Sequence, residues 1–230
     1  MTRRVLIVGN SDGIGAAVTR DLLTLGDEVV GISRSANPLG SGKPRHEVMD
    51  VTDPAYPSLL ARLVAEYHSF DACIYCAGIG SDLELPDLSG ESQVFEVNLT
   101  AMVRTLEILI PSWLALRRGH FIGLSSLADI MVDPVSPSYS ASKAGVSHYL
   151  VSMARRLRSE GIAVTNIRFG FVDTKMAKAS FRPLMMTAER AAQHIVRCLD
   201  TRPVQLSVPR TVALSVALAR SAQSIRTWVT

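Results

Sequence analysis

Two hydrophobic periods alternate along most of this chain. Short continuous apolar runs, typical of strands buried on both faces, are followed by segments whose apolar residues recur every three or four positions, as on one face of a helix. In the first such pair, RRVLIVG occupies 3–9, and GIGAAVTRDLLTL at 13–25 has helical spacing and stops at Gly26. Strands that are repeatedly followed by helices predict a doubly wound parallel sheet, a Rossmann-like α/β fold.

The other elements are predicted in the same way. Strands are expected at 27–34, 46–51, 71–78, 119–126, 163–170 and 204–208, and helices at 57–67, 91–116, 138–159 and 187–200. No repeat or linker interrupts this pattern, so a single domain is predicted over residues 1–230. Residues 1–120 would form mainly its cofactor half, residues 121–208 mainly its catalytic and substrate half, and residues 209–230 a C-terminal tail.

Composition argues against several classes of protein. Hydrophobic residues make up 47% of the chain and charged residues 20%, which is typical of a folded globular protein. The net charge of +3 comes from scattered arginines rather than from a basic run, which disfavours nucleic-acid binding. Three cysteines without a Cys/His cluster disfavour disulfides and a metal site, and no apolar stretch approaches the roughly 18 residues of a membrane span. We therefore expect a cytoplasmic protein with no membrane span and no bound metal.

The first predicted strand runs directly into the sequence VGNSDGIG, residues 8–15, and then into the first predicted helix. Its three glycines would let the backbone approach a pyrophosphate, and the free amides of a helix N-terminus favour negative charge. A glycine-rich turn at this place in a strand–helix unit predicts a dinucleotide site rather than a merely tight connection.

A second motif, PSYSASKAG at 137–145, lies at the start of the long helix predicted over 138–159. Tyr139 and Lys143 are one helical turn apart, so their side chains would share a face, about 5–6 Å apart at Cβ. An ammonium beside a phenol favours the phenolate, so the tyrosine pKa would be lowered toward the range useful for proton transfer. Alone, such a pair occurs often by chance on a surface helix; with the glycine turn it predicts chemistry.

Together the motifs resemble the short-chain dehydrogenase/reductase family, in its short single-domain branch, over about residues 4–176. The family's T-G-x-x-x-G-x-G corresponds to Val8–Gly15, its N-N-A-G to Tyr75–Gly78 and its P-G-x-x-x-T to Phe169–Thr174. Four residues of these patterns, a threonine, two asparagines and a proline, are replaced here, by Val8, Tyr75, Cys76 and Phe169.

The resemblance implies catalytic roles for four residues. Tyr139 would donate or accept the proton as hydride moves at a nicotinamide, and Lys143 would lower the tyrosine pKa and hold the nicotinamide ribose. Ser126, thirteen residues before the tyrosine, would hydrogen-bond the substrate oxygen, and Asn98 would order a water in a proton relay. The cofactor-binding residues that the resemblance implies are, besides Tyr139 and Lys143, Gly9, Ser11, Asp12, Gly13, Ile14, Ser33, Arg34, Asp50, Val51, Cys76, Ala77, Gly78, Val172 and Thr174.

The residues after the second predicted strand bear on which nicotinamide cofactor binds. An acid there would bind a ribose 2′-hydroxyl and repel a 2′-phosphate, but no acid occurs between Arg34 and Glu47. Ser33 and Arg34 instead supply a hydroxyl and a guanidinium, which suit a 2′-phosphate. NADP(H) is therefore predicted, with NAD(H) as the alternative.

The substrate pocket is expected to be lined by the loop between Ser126 and Tyr139 and by the segment KMAKASFRPLMM at 175–186. Its apolar candidates are Ile130, Met131, Val132, Val135, Met176, Phe181, Leu184, Met185 and Met186. They predict a mainly hydrophobic carbonyl or alcohol under a flexible lid, although the methionines would equally fit core packing. Three cations leave room for an acidic group on the substrate: Lys175, Lys178 and Arg182.

Several alternatives stay open. The substrate would be an acyl-carrier-bound ketoacyl group, a small ketone, or a steroid-like or quinone-type carbonyl, and Asp129 and Asp133 would either screen it at the cleft mouth or be solvated. A catalytically weak NADP(H)-binding sensor or scaffold is the rival function, which the altered Tyr75-Cys76 pair favours. The family resemblance also implies a homodimer or homotetramer, which the apolar residues along 99–114 and 144–157 fit.

Overall fold

The structure is a computed structural model that describes residues 2–36, 44–175, 185–209 and 211. Its strands are β1 (Arg4–Val8), β2 (Glu28–Ser33), β3 (Arg45–Val48), β4 (Ala72–Tyr75), β5 (Gly119–Ser126), β6 (Ile162–Phe169) and β7 (Gln205–Val208). Its α-helices are α1 (Gly13–Thr24), α2 (Tyr56–Tyr67), α3 (Glu91–Phe95), α4 (Ala101–Leu116), α5 (Pro137–Leu157) and α6 (Ala188–Thr201). The predicted helices and strands within the described residues are confirmed, with boundaries shifted by at most three residues.

All the described strands run parallel in one sheet, in the order β3-β2-β1-β4-β5-β6-β7. The chain builds outward from β1 to β3, returns to place β4 beside β1, and then builds outward to β7. The connections after β1 and β4 therefore lead away from each other, which opens a crevice at the carboxyl edge of the sheet. The predicted doubly wound α/β fold is confirmed.

Both faces of the sheet are covered, which explains the continuous apolar runs in its strands. Side chains alternate along β1: Leu6 and Val8 pack toward α2, α4 and α5, whereas Val5 and Ile7 pack toward α1 and α6. All four are fully buried. The alternation places each of the residues 5–8 in one of two apolar layers.

The helix predicted over 91–116 is continuous but changes its winding. A π-helical turn, Glu96–Thr100, lies between α3 and α4. By length and composition alone, the continuous helix Glu91–Leu116 is apolar enough to cross a membrane, a test that the core helix of a soluble protein also passes. Met102, Leu106 and Trp113 are fully buried, so one face of α4 packs on the core.

Two sequence-based predictions fall largely outside the described residues. The described residues do not include five residues of the predicted lid segment: Met176, Lys178, Phe181, Arg182 and Leu184. Of the C-terminal tail predicted at 209–230, only residues 209 and 211 are described.

Candidate active site

The candidate site lies where three neighbouring strands end. Since β1, β4 and β5 are adjacent and parallel, the glycine turn, the segment Cys76–Gly78 and Ser126 all come to the same edge of the sheet. Backbone hydrogen bonds join the first two: the amides of Cys76 and Ala77 donate to the Val8 carbonyl, at 2.8 and 3.0 Å. The residues that replace the family's threonine and second asparagine thus leave this edge tied together through the main chain.

The glycine turn is built for close backbone contact. Gly9 has φ +87°, and a Cβ on it would lie 2.6 Å from the amide nitrogen of Ala77. A Cβ on Gly15 would lie 2.0 Å from the Gly9 carbonyl oxygen. The turn leads directly into the N-terminus of α1, where Asp12 accepts a hydrogen bond from the Gly13 amide at 2.8 Å. A backbone cradle at a helix N-terminus fits the pyrophosphate of a dinucleotide.

The segment after β6 closes over this turn. A Cβ on Gly13 would lie 3.0 Å from the Thr174 methyl group, and the Lys175 ammonium lies 2.7 Å from the Asp12 carboxylate. The hydrogen bond from Lys175, and then that from the Gly13 amide, lower the pKa of Asp12. The sequence predicted that Lys175 faces the substrate. In the structure it instead contacts the dinucleotide turn. Val172 is held nearby through a bridge to Met186.

At the far end of the site, the adjacent residues Ser33 and Arg34 differ in their surroundings. Ser33 is buried, its hydroxyl donates to the Ser35 carbonyl at 2.9 Å, and His46 of β3 lies 3.3 Å from it. The Ser33 hydroxyl is therefore already engaged, contrary to the expectation of a free donor for a 2′-phosphate. Arg34 is exposed.

Asp50 and Val51 follow β3 beside this end of the site. Asp50 accepts hydrogen bonds from the Thr52 amide and hydroxyl at 2.9 and 2.8 Å, and Val51 is buried. Burial acts to raise the pKa of Asp50, but the bonds from Thr52 and the charge of Arg34 outweigh it and lower the pKa. The Asp50 carboxylate is therefore ionised and fixed in place.

Three of the four predicted catalytic residues meet at the end of β5. Ser126 is the last residue of β5, its Oγ accepts from the Ala128 amide at 3.1 Å, and a hydrogen bond with Ser126 acts on the pKa of Tyr139. Lys143 is buried one turn along α5, with its Nζ 5.7 Å from the centre of the Tyr139 ring. The two motifs that lie far apart in sequence are thus brought to one edge of the sheet.

The protonation of this pair differs from the prediction. Burial raises the pKa of Tyr139 above its ordinary value, although the hydrogen bond with Ser126 acts to lower it. Lys143 donates to the Leu124 carbonyl at 2.9 Å, and burial lowers its own pKa to about 8. The expected lowering of the tyrosine pKa by Lys143 is not seen in the protein alone, where burial sets the direction of the shift.

Asn98 lies in the π-helical turn, and its side-chain amide is fully engaged. Its Oδ1 accepts from the Ile79 amide at 2.8 Å, and its Nδ2 donates to the Ile79 carbonyl at 2.9 Å and to Ser142 Oγ at 3.0 Å. Asn98 thereby ties the segment after β4 to α5, next to Lys143. π-Helical turns are rare in proteins, and those that occur often lie at functional sites.

Comparison with known proteins decides the family. The family model for short chain dehydrogenases matches residues 3–184, most of the chain. The chain belongs to the short-chain dehydrogenase family. It is 31% identical, over 184 residues, to the 3-oxoacyl-[acyl-carrier-protein] reductase FabG of Escherichia coli (strain K12), covering 76% of this chain and 75% of that protein. This establishes an oxidoreductase of a family that binds NAD(P)(H).

Solved structures agree on the fold. A short-chain dehydrogenase from Streptomyces avermitilis superposes with a TM-score of 0.84 at 22% identity, covering 100% of this chain and 96% of that one. ElxO with NADP bound superposes with a TM-score of 0.80 at 20% identity, covering 90% of this chain and 97% of that one.

Two features of this short-chain dehydrogenase escaped the sequence analysis. Gly80 packs on the face of the Tyr139 ring, where a Cβ would lie 2.8 Å from the ring carbon Cδ2. The amide group of Asn10 is buried against Gly31, and its polar atoms have no hydrogen-bond partner among the described residues. Gly80 belongs to no motif, and Asn10 occupies a variable position of the glycine motif, so the sequence marked neither; their contacts join segments distant in sequence.

Proposed function

We propose that this protein is an NADP(H)-dependent oxidoreductase that interconverts a ketone or aldehyde with an alcohol, with Tyr139 as acid and base. The observation that carries the proposal is the meeting of Ser126, Tyr139 and Lys143 beside the glycine turn. A proton donor, a second hydroxyl and a cation next to a dinucleotide cradle are the groups that carbonyl reduction requires.

Each side chain would have one task. The raised pKa of Tyr139 keeps its phenol protonated at neutral pH, so that it can donate a proton to a carbonyl oxygen. Ser126 would hydrogen-bond the same oxygen and orient it. Lys143, when charged, would stabilise the phenolate left after proton transfer, and Asn98 would serve the relay that returns the proton. When bound, the nicotinamide supplies or accepts the hydride.

The preference for NADP(H) rests on Arg34. This exposed guanidinium lies at the end of β2, where a 2′-phosphate would be recognised by charge. The Asp50 carboxylate accepts hydrogen bonds from Thr52, and the charge of Arg34 acts to lower the pKa of Asp50. The similar fold of ElxO, which binds NADP, points the same way. NAD(H) remains the alternative.

The substrate class follows from the exposed apolar residues near the site. Val132 and Val135 are 80% and 57% exposed in the loop before Tyr139, and Phe171 and Met185, which follow β6 in the chain, are partly exposed. This surface suits a carbonyl with an apolar chain. Because FabG is a 3-oxoacyl-[acyl-carrier-protein] reductase, a 3-oxoacyl thioester is the first substrate to test; the other candidates are a small ketone and a steroid-like or quinone-type carbonyl.

A second copy of the chain is the proposed partner, as a homodimer or homotetramer in the cytoplasm. Phe95, Leu114 and Leu116 are exposed along the helix Glu91–Leu116 and would be covered in such an assembly. Light scattering coupled to size-exclusion chromatography tests this, and a strictly monomeric mass would contradict it.

The test of function begins with fluorescence titration of the purified protein with NADPH and NADH, followed by turnover on a carbonyl panel led by a 3-oxoacyl thioester. Tyr139→Phe serves as the control, and it should bind NADPH normally and lose turnover. Arg34→Asp should shift the preference toward NADH. Binding without turnover on any carbonyl would favour the sensor or scaffold function; binding of neither nucleotide would contradict the proposal.

A further inference from the structure

The π-helical turn leaves one main-chain carbonyl without its helical donor. In an α-helix the amide of Ala101 would donate to the carbonyl of Val97, four residues earlier. Here that amide donates to Glu96 instead. Val97 is buried, so its released carbonyl oxygen needs another donor, because an unpaired buried polar group is costly.

Tyr75 supplies that donor. It is the last residue of β4, is 2% exposed, and its hydroxyl donates to the Val97 carbonyl at 2.7 Å. Burial raises the pKa of Tyr75 well above its ordinary value, so the phenol stays protonated. This position carries an asparagine in the family pattern, and that shorter side chain would end several bonds before the tyrosine hydroxyl.

The contact reaches the candidate catalytic residues in two short steps. Val97 directly precedes Asn98, whose amide holds both the amide and the carbonyl of Ile79. Ile79 is next to Gly80, the residue against the Tyr139 ring. Asn98 also holds Ser142, next to Lys143.

We propose that Tyr75 is a positioning residue: its hydroxyl fixes the π-helical turn so that Asn98 holds the Ile79–Gly80 segment and α5 in the geometry that proton transfer requires. The inference rests on the proposed oxidoreductase function. It also gives the altered Tyr75-Cys76 pair a role within an active enzyme, whereas the sequence alone allowed it to signal a loss of activity.

The variant Tyr75→Phe tests the proposal, and the chain provides a matched control. Tyr56 is also fully buried, and its hydroxyl hydrogen-bonds Thr105 on the same helix at 2.7 Å, beyond the π-helical turn. Each variant removes one buried phenol hydroxyl that hydrogen-bonds to the helix Glu91–Leu116. Tyr75→Phe should lower kcat at least tenfold with the KM for NADPH within twofold, because small misplacements of catalytic groups cost roughly one to two orders of magnitude. Tyr56→Phe should keep kcat within twofold.

Hydrogen exchange at the Ile79 amide provides a readout that does not depend on turnover. In Tyr75→Phe this amide should exchange at least tenfold faster relative to the amides of β5, whereas in Tyr56→Phe its relative rate should not change. If the wild-type protein reduces no carbonyl, the proposed function fails and the exchange result still decides whether Tyr75 fixes the turn. Equal losses of kcat in the two variants, or an unchanged relative exchange rate in Tyr75→Phe, would overturn the inference.

Discussion

The Arg168 guanidinium and the Asp129 carboxylate form a bidentate ion pair, with Nε 2.7 Å from Oδ2 and Nη2 2.5 Å from Oδ1. Arg168 lies in β6, and Asp129 lies in the 3₁₀ turn Leu127–Ile130 that directly follows Ser126. Their side chains are 12% and 3% exposed. The sequence suggested that Asp129 would screen substrates at the cleft mouth or face solvent. It does neither, and instead fastens the turn after Ser126 to the sheet.

Hydrogen bonds extend from this pair to both sides of the site. Ser147 of α5 hydrogen-bonds the Asp129 carboxylate and lies 2.7 Å from the Ser125 hydroxyl. Ser125 in turn donates to the main-chain carbonyl of Lys143 at 2.9 Å. The ends of β5, β6 and α5 are thus joined by one buried polar network, which holds Ser126 and Lys143 in register.

Removal of one member of the ion pair should strongly destabilise the protein. Asp129→Ala leaves the Arg168 charge buried without its partner, and the free energy of unfolding should fall by about 3 kcal/mol. Urea denaturation measures this. Asp133→Ala, in the same loop but outside the network, should cost under about 1 kcal/mol. The double variant Asp129→Ala/Arg168→Met should recover part of the loss, and a double variant less stable than the single one would contradict this account.

The burial of Lys143 predicts how stability depends on pH. Its pKa is about 8 in the folded protein and 10.5 when unperturbed, so between these values the unfolded chain binds more protons. The contribution of Lys143 to stability should therefore rise from pH 8 to pH 10.5 and stay constant below pH 8. Relative to Lys143→Met, the free energy of unfolding should increase by about 3 kcal/mol across this window. A difference that is flat with pH would show that Lys143 is well solvated.

Because the pKa of Tyr139 is raised, a fall in the activity of the enzyme near pH 8 should come from Lys143 rather than from Tyr139. In ultraviolet difference titration of the free protein, the phenolate signal that Tyr139→Phe removes should appear only above pH 10, the ordinary tyrosine value. A fall of kcat/KM for carbonyl reduction near pH 8 would then belong to Lys143 losing its charge. A phenolate signal from Tyr139 at neutral pH would instead restore the expectation drawn from the sequence.

Gly80→Ala should impair chemistry more than folding. The added methyl group would lie 2.8 Å from a ring carbon of Tyr139, so the ring must move away from its position beside Ser126. We expect kcat to fall at least tenfold, with NADPH affinity within twofold. Steady-state kinetics and fluorescence titration separate the two effects. Gly90→Ala, where a Cβ would meet no atom within 4 Å, is the control and should behave as wild type.

Gly9→Ala should abolish dinucleotide binding. Gly9 and Gly26 both have positive φ, at +87° and +82°, but only at Gly9 would a Cβ meet backbone, 2.6 Å from the Ala77 amide. Gly26→Ala therefore isolates backbone strain, which should cost about 1–2 kcal/mol and leave NADPH binding intact. Fluorescence titration of both variants checks this, and normal binding by Gly9→Ala would mean that the turn can open without loss.

Most of the fold was predictable because its cause is local in the sequence. Runs such as VLIV at 5–8 are apolar at every position because both faces of the sheet are covered, and the spacing of Ala17, Val18 and Leu22 places them on one side of a helix. The glycine turn could also be recognised from the sequence, because its backbone conformation and close contacts leave no room for side chains at the glycines. These patterns determined the parallel sheet, the helix order and the edge where a dinucleotide site would lie.

The tertiary structure decided what depends on neighbours distant in sequence. Whether Asp129 meets water or Arg168, whether the Ser33 hydroxyl is free, and whether desolvation or Lys143 controls the Tyr139 pKa are outcomes of packing between separate segments. The same holds for the π-helical turn, whose released carbonyl is stabilised by Tyr75 from another strand. Periodicity fixes which faces of a segment are buried; burial, charge and hydrogen bonding at each side chain are fixed only when those faces meet.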